Sequence, residues 1–160
     1  MIYPPMKMSD AGLELTMSSE GCEYVAYPDP ATKDDPVKKG KPWTIGYGHT
    51  KGVYEGMTCT HEQAVAWLKE DIKWAEATVN ELVDVPLTQG QFDALVDFTF
   101  NVGRGNLAKS ELLAKLNEGR YDEIDDELRE WNLANGRVMK GLVTRRERAA
   151  DMFDDEPPTS

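Results

Sequence analysis

The spacing of apolar residues between positions 65 and 82 is the feature that most constrains the fold of this chain. These residues recur three or four positions apart, as on one face of an α-helix, at Val65, Leu68, Ile72, Ala75, Val79 and Leu82. Thr60 and Gln63 precede them with the spacing of a capping box. The pattern predicts one continuous helix that joins two lobes.

Further helices are predicted on both sides of this segment. Ser9 is a suitable N-cap for a first helix that ends at Gly21. Thr88 and Gln91 repeat the capping-box spacing before FDALVDFTFNV, whose nearly continuous apolar character indicates a helix buried on most sides. Shorter helices are predicted in SELLAKLNEG, DEIDDELREWN and LVTRRERAADMF, punctuated by Gly119, Gly136 and Gly141.

The periodicity changes between Glu23 and Thr50, where Tyr, Val, Thr and Trp are frequent and PDPATKDDPVKKGKP carries turn residues. This composition predicts short antiparallel strands. We therefore expect an α+β fold, with a β-hairpin in a small N-terminal lobe and a larger helical C-terminal lobe. Clefts form between such lobes. Residues 1–8 are predicted to form an arm, 9–153 the domain and 154–160 a flexible tail.

Charge and composition exclude several classes of protein. The 18 Lys and Arg residues against 29 Asp and Glu give a net charge of -11, which repels nucleic acid and anionic membranes. No run approaches the roughly 20 apolar residues that span a bilayer, and MIYPPMKMSD lacks the apolar part of a secretory signal. We expect neither a membrane span nor a nucleic-acid partner.

The cysteines and histidines are too sparse to indicate metal chemistry. Cys22 and Cys59 are too far apart for a CxxC motif, and either two free thiols or one disulfide fits their spacing. No second histidine follows His61 and Glu62 at the spacing of a zinc-binding helix. We expect no metal and no cofactor.

Glu20 stands at the end of the first predicted helix, where the partial negative charge of the helix terminus disfavours an acid. That environment, together with desolvation under a ligand, favours the protonated form that a general acid needs. Asp29 lies between two prolines in a turn, and Thr44 offers a hydroxyl on a predicted strand. An acid, a base and a water-holding hydroxyl are the groups required for cleavage of a glycosidic bond.

The segment WTIGYGHT, residues 43–50, is predicted to be one strand with two unlike faces. Alternation places Trp43, Ile45, Tyr47 and His49 on one face, and Thr44, Gly46 and Gly48 on the other. The nearly bare second face would let a ligand approach the backbone closely, whereas a bulge or tight packing against a helix is the alternative explanation of the glycines. Gly46 and Gly48 are accordingly candidate substrate-binding residues.

Four segments, EGCEYVAYPD, WTIGYGHT, QFDALVDFTFNVG and GLVTRR, resemble the phage-type lysozyme family in their order and in the nine-residue spacing from Glu20 to Asp29. These are endolysins, glycoside hydrolases that cut bacterial peptidoglycan. The resemblance covers residues 10–153 and implies a lysozyme-like fold. It implies that Glu20 is the general acid, that Asp29 helps to activate the attacking water and that Thr44 positions this water.

The resemblance also implies inversion at the β-1,4 bond between N-acetylmuramic acid and N-acetylglucosamine. Further roles follow from the family pattern. A structural ion pair joins His49 to Asp71, and Arg145 pairs with Glu20. Phe100 and Asn101 line the substrate cleft. Tryptophans are expected in the core, with Trp131 the strongest candidate for stacking on a sugar.

The chain departs from the family pattern after Asp29, where PATKDDPVKKGKP is longer than the compact family turn. Its four lysines could contact an anionic wall or keep a loop soluble. The extra length makes the position of Asp29 harder to infer than that of Glu20.

Other readings of the site remain open from sequence. A lytic transglycosylase also starts with a Glu acid, but Asp29 and Thr44 argue against it. A chitin-cleaving relative or a non-catalytic wall-binding module would keep the same fold. As a phage-type lysozyme, the protein is expected to be a monomer made in the host cytoplasm. It would reach bacterial peptidoglycan through a separate holin-type pore.

Overall fold

The structure is a computed structural model that describes residues 3–134 and 136–155. The chain divides into two compact units. We call Glu20–Ile72 the hairpin unit, and Met1–Ser19 with Lys73–Ser160 the helical unit.

The hairpin unit is built from a short sheet and one helix. Strands β1 (Glu23–Tyr27) and β2 (Thr44–Gly46) pair antiparallel, and helix α2 spans His61–Asp71. A further bridge joins Val25 to Thr58, and the amide of Ala26 donates to the carbonyl of Met57 at 2.9 Å. The short antiparallel strands predicted in this region are therefore present.

The helical unit contains most of the remaining elements. They are α1 (Asp10–Glu20, whose last residue belongs to the hairpin unit), α3 (Lys73–Leu82), α4 (Gln89–Val102), α5 (Arg104–Ala108), α6 (Glu111–Asn117), a 3-10 turn (Tyr121–Glu123), α7 (Ile124–Arg129), β3 (Leu133–Ala134), β4 (Arg137–Val138) and α8 (Lys140–Asp154). Helix α5 and the β3–β4 hairpin were not predicted, because each is too short to show a period. Gly141, expected to separate elements, lies inside α8.

Helix starts follow the predicted capping residues. Thr60 and Thr88 each accept the amide of the residue three positions on, and the glutamine there returns a bond to the cap, so both capping boxes are confirmed. The Ser9 hydroxyl accepts the amide of Gly12 at 3.3 Å, and the Ser110 hydroxyl accepts the amide of Leu113 at 3.1 Å. These bonds satisfy donors that a helix terminus leaves unpaired.

The predicted continuous helix from 61 to 82 is wrong in one respect, because it is interrupted at Ile72. Helix α2 ends at Asp71, α3 begins at Lys73, and the two units divide at this point. The apolar spacing continues across the break, with Leu68, Ile72 and Ala75 all buried. Hydrophobic spacing reports which side of a segment is buried, so it does not register a local interruption of helical geometry.

The predicted strand over residues 43–50 is confirmed for Thr44–Gly46 and is wrong beyond Gly46. Strand β2 ends at Gly46, and Ile45 and His49 exchange two backbone hydrogen bonds of 2.9 Å across a tight turn. Gly46 and Gly48 in this turn have φ of +65° and +84°, values that side chains with a Cβ rarely adopt. The glycines reverse the chain, so the expected bare strand face does not form.

The centre of the helical unit is α4, which is buried from Phe92 to Thr99 and packs against α3 and α8, as the sequence predicted for a core helix. The amides of Met6 and Met8 donate to Asn80 and Glu76, so this part of the predicted arm lies against α3. The predicted tail begins at Asp154, which is still helical, and its residues 156–160 lie outside the described part. Within the described ranges, no helix has the length and apolar character needed to cross a membrane.

Candidate active site

Glu20 is the last residue of α1, and the last turn of this helix carries no basic residue. Gly21 follows with φ +70° and lets the chain leave the helix. A Cβ built on Gly48 would lie 3.5 Å from Oε2 of Glu20, so the turn after β2 passes beside this carboxyl group. Glu20 is half-buried.

Strand pairing brings the chain segments of Asp29 and Thr44 together. Tyr27 lies opposite Thr44, and Glu23 lies opposite Gly46, with an irregularity in β1 between the two pairs. Asp29 follows Tyr27 by two residues. Thr44 therefore pairs with the strand that leads into the Asp29 turn and precedes the Gly48 turn, which passes beside Glu20. All three predicted catalytic residues belong to the hairpin unit.

Asp29 is held in a tight turn. Its Oδ1 accepts the amide of Ala31 at 2.8 Å, its carbonyl accepts the amide of Thr32 at 3.0 Å, and its own amide donates to the carbonyl of Gly40 at 2.9 Å. This is the bonding of an Asx turn, in which a carboxylate oxygen substitutes for a backbone carbonyl. The second oxygen, Oδ2, remains for other chemistry.

The two candidate substrate-binding glycines have different surroundings. A Cβ on Gly46 would lie 3.1 Å from Cβ of Ala64 on α2, so Gly46 is a site of close packing, the alternative that the sequence left open. Gly48 is exposed and faces Glu20. The reason for proposing that Gly46 touches substrate is therefore removed, whereas Gly48 keeps its place beside the candidate acid.

His49 and Asp71 are in contact within the hairpin unit. Nδ1 of His49 lies 2.7 Å from Oδ2 of Asp71, and the His49 ring stacks on Trp67 with centroids 4.7 Å apart. His49 is buried and lies just after the Gly48 turn. The contact fixes the end of this turn to α2.

Arg145 lies in the helical unit, where it forms a bidentate pair with Asp97. Its Nε and Nη2 donate to the carboxylate at 3.1 and 2.9 Å, and the Thr16 hydroxyl donates to the same carboxylate at 2.8 Å. Arg145 is 6% exposed and Asp97 is fully buried. Sequence reasoning missed this pair, although an acid in the middle of the apolar segment FDALVDFTF is itself a signal that a buried partner is required. The predicted bond of Arg145 to Glu20 stays a prediction.

Phe100 and Asn101 also belong to the helical unit. The Phe100 ring is 6.0 Å from that of Trp74, and Asn101 accepts a hydrogen bond from Arg146. Trp74 is 43% exposed, so it is not the core residue that was expected.

A pocket of about 620 Å³ lies in the helical unit, and Asn101, Trp131, Arg145 and Arg146 contribute to its lining. Burial, and then the neighbouring charge of Arg145, lower the pKa of Arg146 to about 10. Trp131 is half-buried, with its ring edge against Phe98, and its carbonyl accepts from Arg146 at 2.9 Å. A role of Trp131 in sugar stacking remains a prediction.

Cys22 and Cys59 are free thiols in the structure, which decides between the two possibilities that the sequence left open. Among the described residues, no group of three or more His, Cys, Asp or Glu side chains is arranged to hold a metal ion.

Comparison with known proteins identifies the family. The sequence model of the phage lysozyme family matches residues 17–149 of this chain. An endolysin of Bacillus phage B103 is 40% identical over 149 residues, which are 92% of this chain and 54% of that protein. An endolysin of Acyrthosiphon pisum secondary endosymbiont phage 1 is 38% identical over 93% of this chain and 99% of its own length. The chain belongs to the phage lysozyme family.

Solved structures confirm the predicted lysozyme-like α+β fold. The muramidase domain of SpmX from Asticaccaulis excentricus superposes with a TM-score of 0.83 and 39% identity, over 94% of this chain and 99% of that domain. The chain spans about half the length of the Bacillus phage relative but nearly all of the other two proteins.

Proposed function

We propose that this protein is a lysozyme that hydrolyses the β-1,4 bond between N-acetylmuramic acid and N-acetylglucosamine in bacterial peptidoglycan. Family membership supports the reaction class, and the names endolysin and muramidase among its relatives support the substrate. The main support for the proposal is the arrangement of residues within the hairpin unit. One compact unit contains Glu20 beside the Gly48 turn, and Thr44 paired with the strand that leads into Asp29.

In the proposed mechanism, Glu20 donates its proton to the glycosidic oxygen as the bond from this oxygen to the anomeric carbon breaks. A water molecule, held by the Thr44 hydroxyl, attacks the anomeric carbon from the opposite face and gives a proton to Asp29. The new bond inverts the configuration of that carbon. The Ala31 amide on Oδ1 of Asp29 supports this role, because it orients the carboxylate and leaves Oδ2 for the water.

The position of Glu20 supports its role as the acid. Its side chain is half-buried at the end of α1, and a Cβ on Gly48 would lie 3.5 Å from its Oε2. Among the residues that the structure describes, the hydroxyl of Thr44 has one long hydrogen bond, 3.5 Å to the carbonyl of Pro42, so a water molecule competes easily for this hydroxyl.

Product analysis tests the proposed reaction. Purified peptidoglycan is digested, the fragments are weighed by mass spectrometry, and proton NMR follows the anomer formed first. Reducing muramic acid ends that appear as the α-anomer are expected. Anhydro ends would show a lytic transglycosylase, and an initial β-anomer would contradict inversion.

Glu20→Gln tests the acid directly. We expect the rate of peptidoglycan cleavage to fall at least about 1,000-fold, since an amide cannot donate the proton, while the melting temperature stays within about 2 °C of wild type. Glu14→Gln, an exposed residue of the same helix, is the matched control and is expected to cleave normally. Substantial cleavage by Glu20→Gln would remove Glu20 as the acid.

The proposal extends to how the enzyme reaches its substrate. It acts as a monomer on the cell wall, after a separate holin-type pore opens the membrane. Expression of the chain alone in bacteria should leave the culture intact until a permeabilising agent is added. Lysis without that agent would contradict the need for a pore, and gel filtration with light scattering measures the oligomeric state.

A further inference from the structure

The segment of residues 30–42, which we call the 30–42 loop, is closed by a buried threonine. Thr32 is 7% exposed, and its hydroxyl donates to the carbonyl of Lys41 at 2.6 Å. Its carbonyl accepts the amide of Gly40 at 2.8 Å. The entry and exit of the loop are thus fastened together through one residue.

The hydrogen bonds that close the loop also include the backbone of Asp29. The amide of Thr32 donates to the carbonyl of Asp29 at 3.0 Å, and the amide of Asp29 donates to the carbonyl of Gly40 at 2.9 Å. The carbonyl of Asp29 is therefore bonded to Thr32, and its amide is bonded to Gly40, the residue whose own amide donates to Thr32. The direction of the Asp29 carboxylate depends on this backbone, because the Ala31 amide that binds Oδ1 belongs to the same turn.

The exit of the loop leads to Thr44. Lys41, the acceptor of the Thr32 hydroxyl, precedes Thr44 by three residues, and the indole of Trp43 donates to the carbonyl of Lys39 at 3.1 Å. Thr32 thus bonds on one side to the backbone of Asp29 and on the other to the segment that enters β2. It links the backbone of the proposed base to the segment that leads to the proposed water-holding hydroxyl.

The link through Thr32 restricts the conformations of the 30–42 loop. A loop as long as residues 30–42 has many conformations to lose, so its ends need additional bonds to stay in one geometry. A displacement of about 1 Å between reacting groups can lower a rate about 100-fold. A buried hydroxyl bond also adds stability, so stability alone does not distinguish a role in catalysis from a role in folding.

We propose that Thr32 is a positioning residue of the reaction, which acts by fixing the Asp29 carboxylate relative to Thr44. The inference rests on the proposed function of Asp29 and Thr44. It assigns the 30–42 loop a part in catalysis that is distinct from contact of its lysines with the wall.

Thr32→Val tests the link, because it replaces the hydroxyl by a methyl group of similar size. With soluble peptidoglycan fragments as substrate, we expect kcat to fall about 10- to 100-fold and KM to stay within about twofold. Thr32→Ser, which keeps the hydroxyl, should restore kcat to within about threefold of wild type. Thr58→Val, at an exposed threonine of the same unit, controls for the replacement of threonine by valine. It should leave kcat and KM unchanged.

A double-mutant cycle separates positioning from general loosening of the unit. If Thr32 acts through Asp29, Thr32→Val should reduce the residual activity of Asp29→Asn less than twofold. A full 10-fold further loss, or a rise in KM without a change in kcat, would overturn the inference. Thr32→Ala gives the same readout if Thr32→Val does not fold.

The cycle also distinguishes failure of this inference from failure of the proposed function. If Asp29→Asn is as active as wild type, the proposed role of Asp29 fails, and the inference fails with it. If Asp29→Asn is inactive while Thr32→Val matches wild type, the role of Asp29 stands and only the positioning role of Thr32 is wrong.

Discussion

Asp29 in the hairpin unit and Asp97 in the helical unit are held in opposite ways. In the hairpin unit, Asp29 is bonded within a short stretch of chain, to Ala31, Thr32 and Gly40. In the helical unit, Asp97 bonds to Arg145, 48 residues away, and to Thr16, 81 residues away. The first arrangement is a local turn, and the second exists only when distant helices have already packed.

This difference indicates what a substitution in each unit should change. Removing the partner of a buried charge lowers the free energy of unfolding strongly, because the remaining charge stays buried without compensation. Substitutions in the helical unit should therefore change mainly stability. The three proposed catalytic side chains, Glu20, Asp29 and Thr44, are half-buried rather than buried, so the hairpin unit should respond mainly in activity. The following predictions test this contrast, from the largest expected effect to the smallest.

Asp97→Ala should give the largest loss of stability. It removes a carboxylate that binds both Arg145 and Thr16 in a fully buried position, and we expect the free energy of unfolding to fall by about 3–5 kcal/mol. Urea denaturation followed by circular dichroism measures the change. The matched control is Glu118→Ala, whose partner Arg120 lies at an exposed ion pair, and it should have little effect. Equal effects of the two substitutions would contradict the contrast.

Gly46→Ala and Gly48→Ala should separate stability from activity inside one turn. Both residues have positive φ, but a methyl group on Gly46 meets Ala64 at 3.1 Å, so we expect a loss of about 2–3 kcal/mol in the free energy of unfolding. On Gly48 the methyl group contacts Oε2 of Glu20 instead. For Gly48→Ala we expect the free energy of unfolding to fall by about 1–2 kcal/mol and the cleavage rate to fall roughly 10-fold as well.

Gly52→Ala is the control for this pair, because Gly52 has a similar φ of +75° and open space where the methyl group would lie. Gly52→Ala should lower the free energy of unfolding only through the strain of a Cβ at positive φ, and it should leave the cleavage rate normal. If Gly48→Ala cleaves as fast as Gly52→Ala, the Gly48 turn does not influence Glu20.

Asp154→Asn should give the smallest effect, and one that depends on pH. Partial desolvation of the carboxyl group, and then a hydrogen bond with Asp125, raise the pKa of Asp154 to about 6, above its ordinary value of 3.8, although most of the side chain is exposed. The stability from this pair is complete at low pH, where Asp154 is protonated, and is lost as the pH rises through about 6. Asparagine cannot ionise and keeps a donor for Asp125.

We therefore expect Asp154→Asn to raise the melting temperature by about 1–2 °C at pH 7.5 and to leave it unchanged at pH 4, since the side chain is exposed and solvent screens the charge. Thermal melts at the two pH values measure this difference. Asp122→Asn, an exposed acid elsewhere in the unit, should show no such pH dependence, and a gain at pH 4 equal to that at pH 7.5 would contradict the assignment.

Much of the fold was predictable because its signals are local. Capping residues at Thr60 and Thr88 lie next to the helices they start, and the apolar spacing of α4 gives its buried character directly. The interruption at Ile72 was not predictable, because both helices share one apolar spacing. The strand predicted over WTIGYGHT was too long, because side-chain alternation and a glycine turn fit the same residues. The Ile45–His49 bonds that decide between them are made only on folding.

The sequence by itself determined where α2 and α4 start, the acid at the end of α1 and membership of the phage lysozyme family, because capping bonds and motif order depend on consecutive residues. Only the tertiary structure decided that Gly46 packs on Ala64 while Gly48 faces Glu20, and that Asp97 receives Arg145 and Thr16. Such contacts depend on which surfaces meet after the chain has folded, and the spacing of residues along the chain does not specify them.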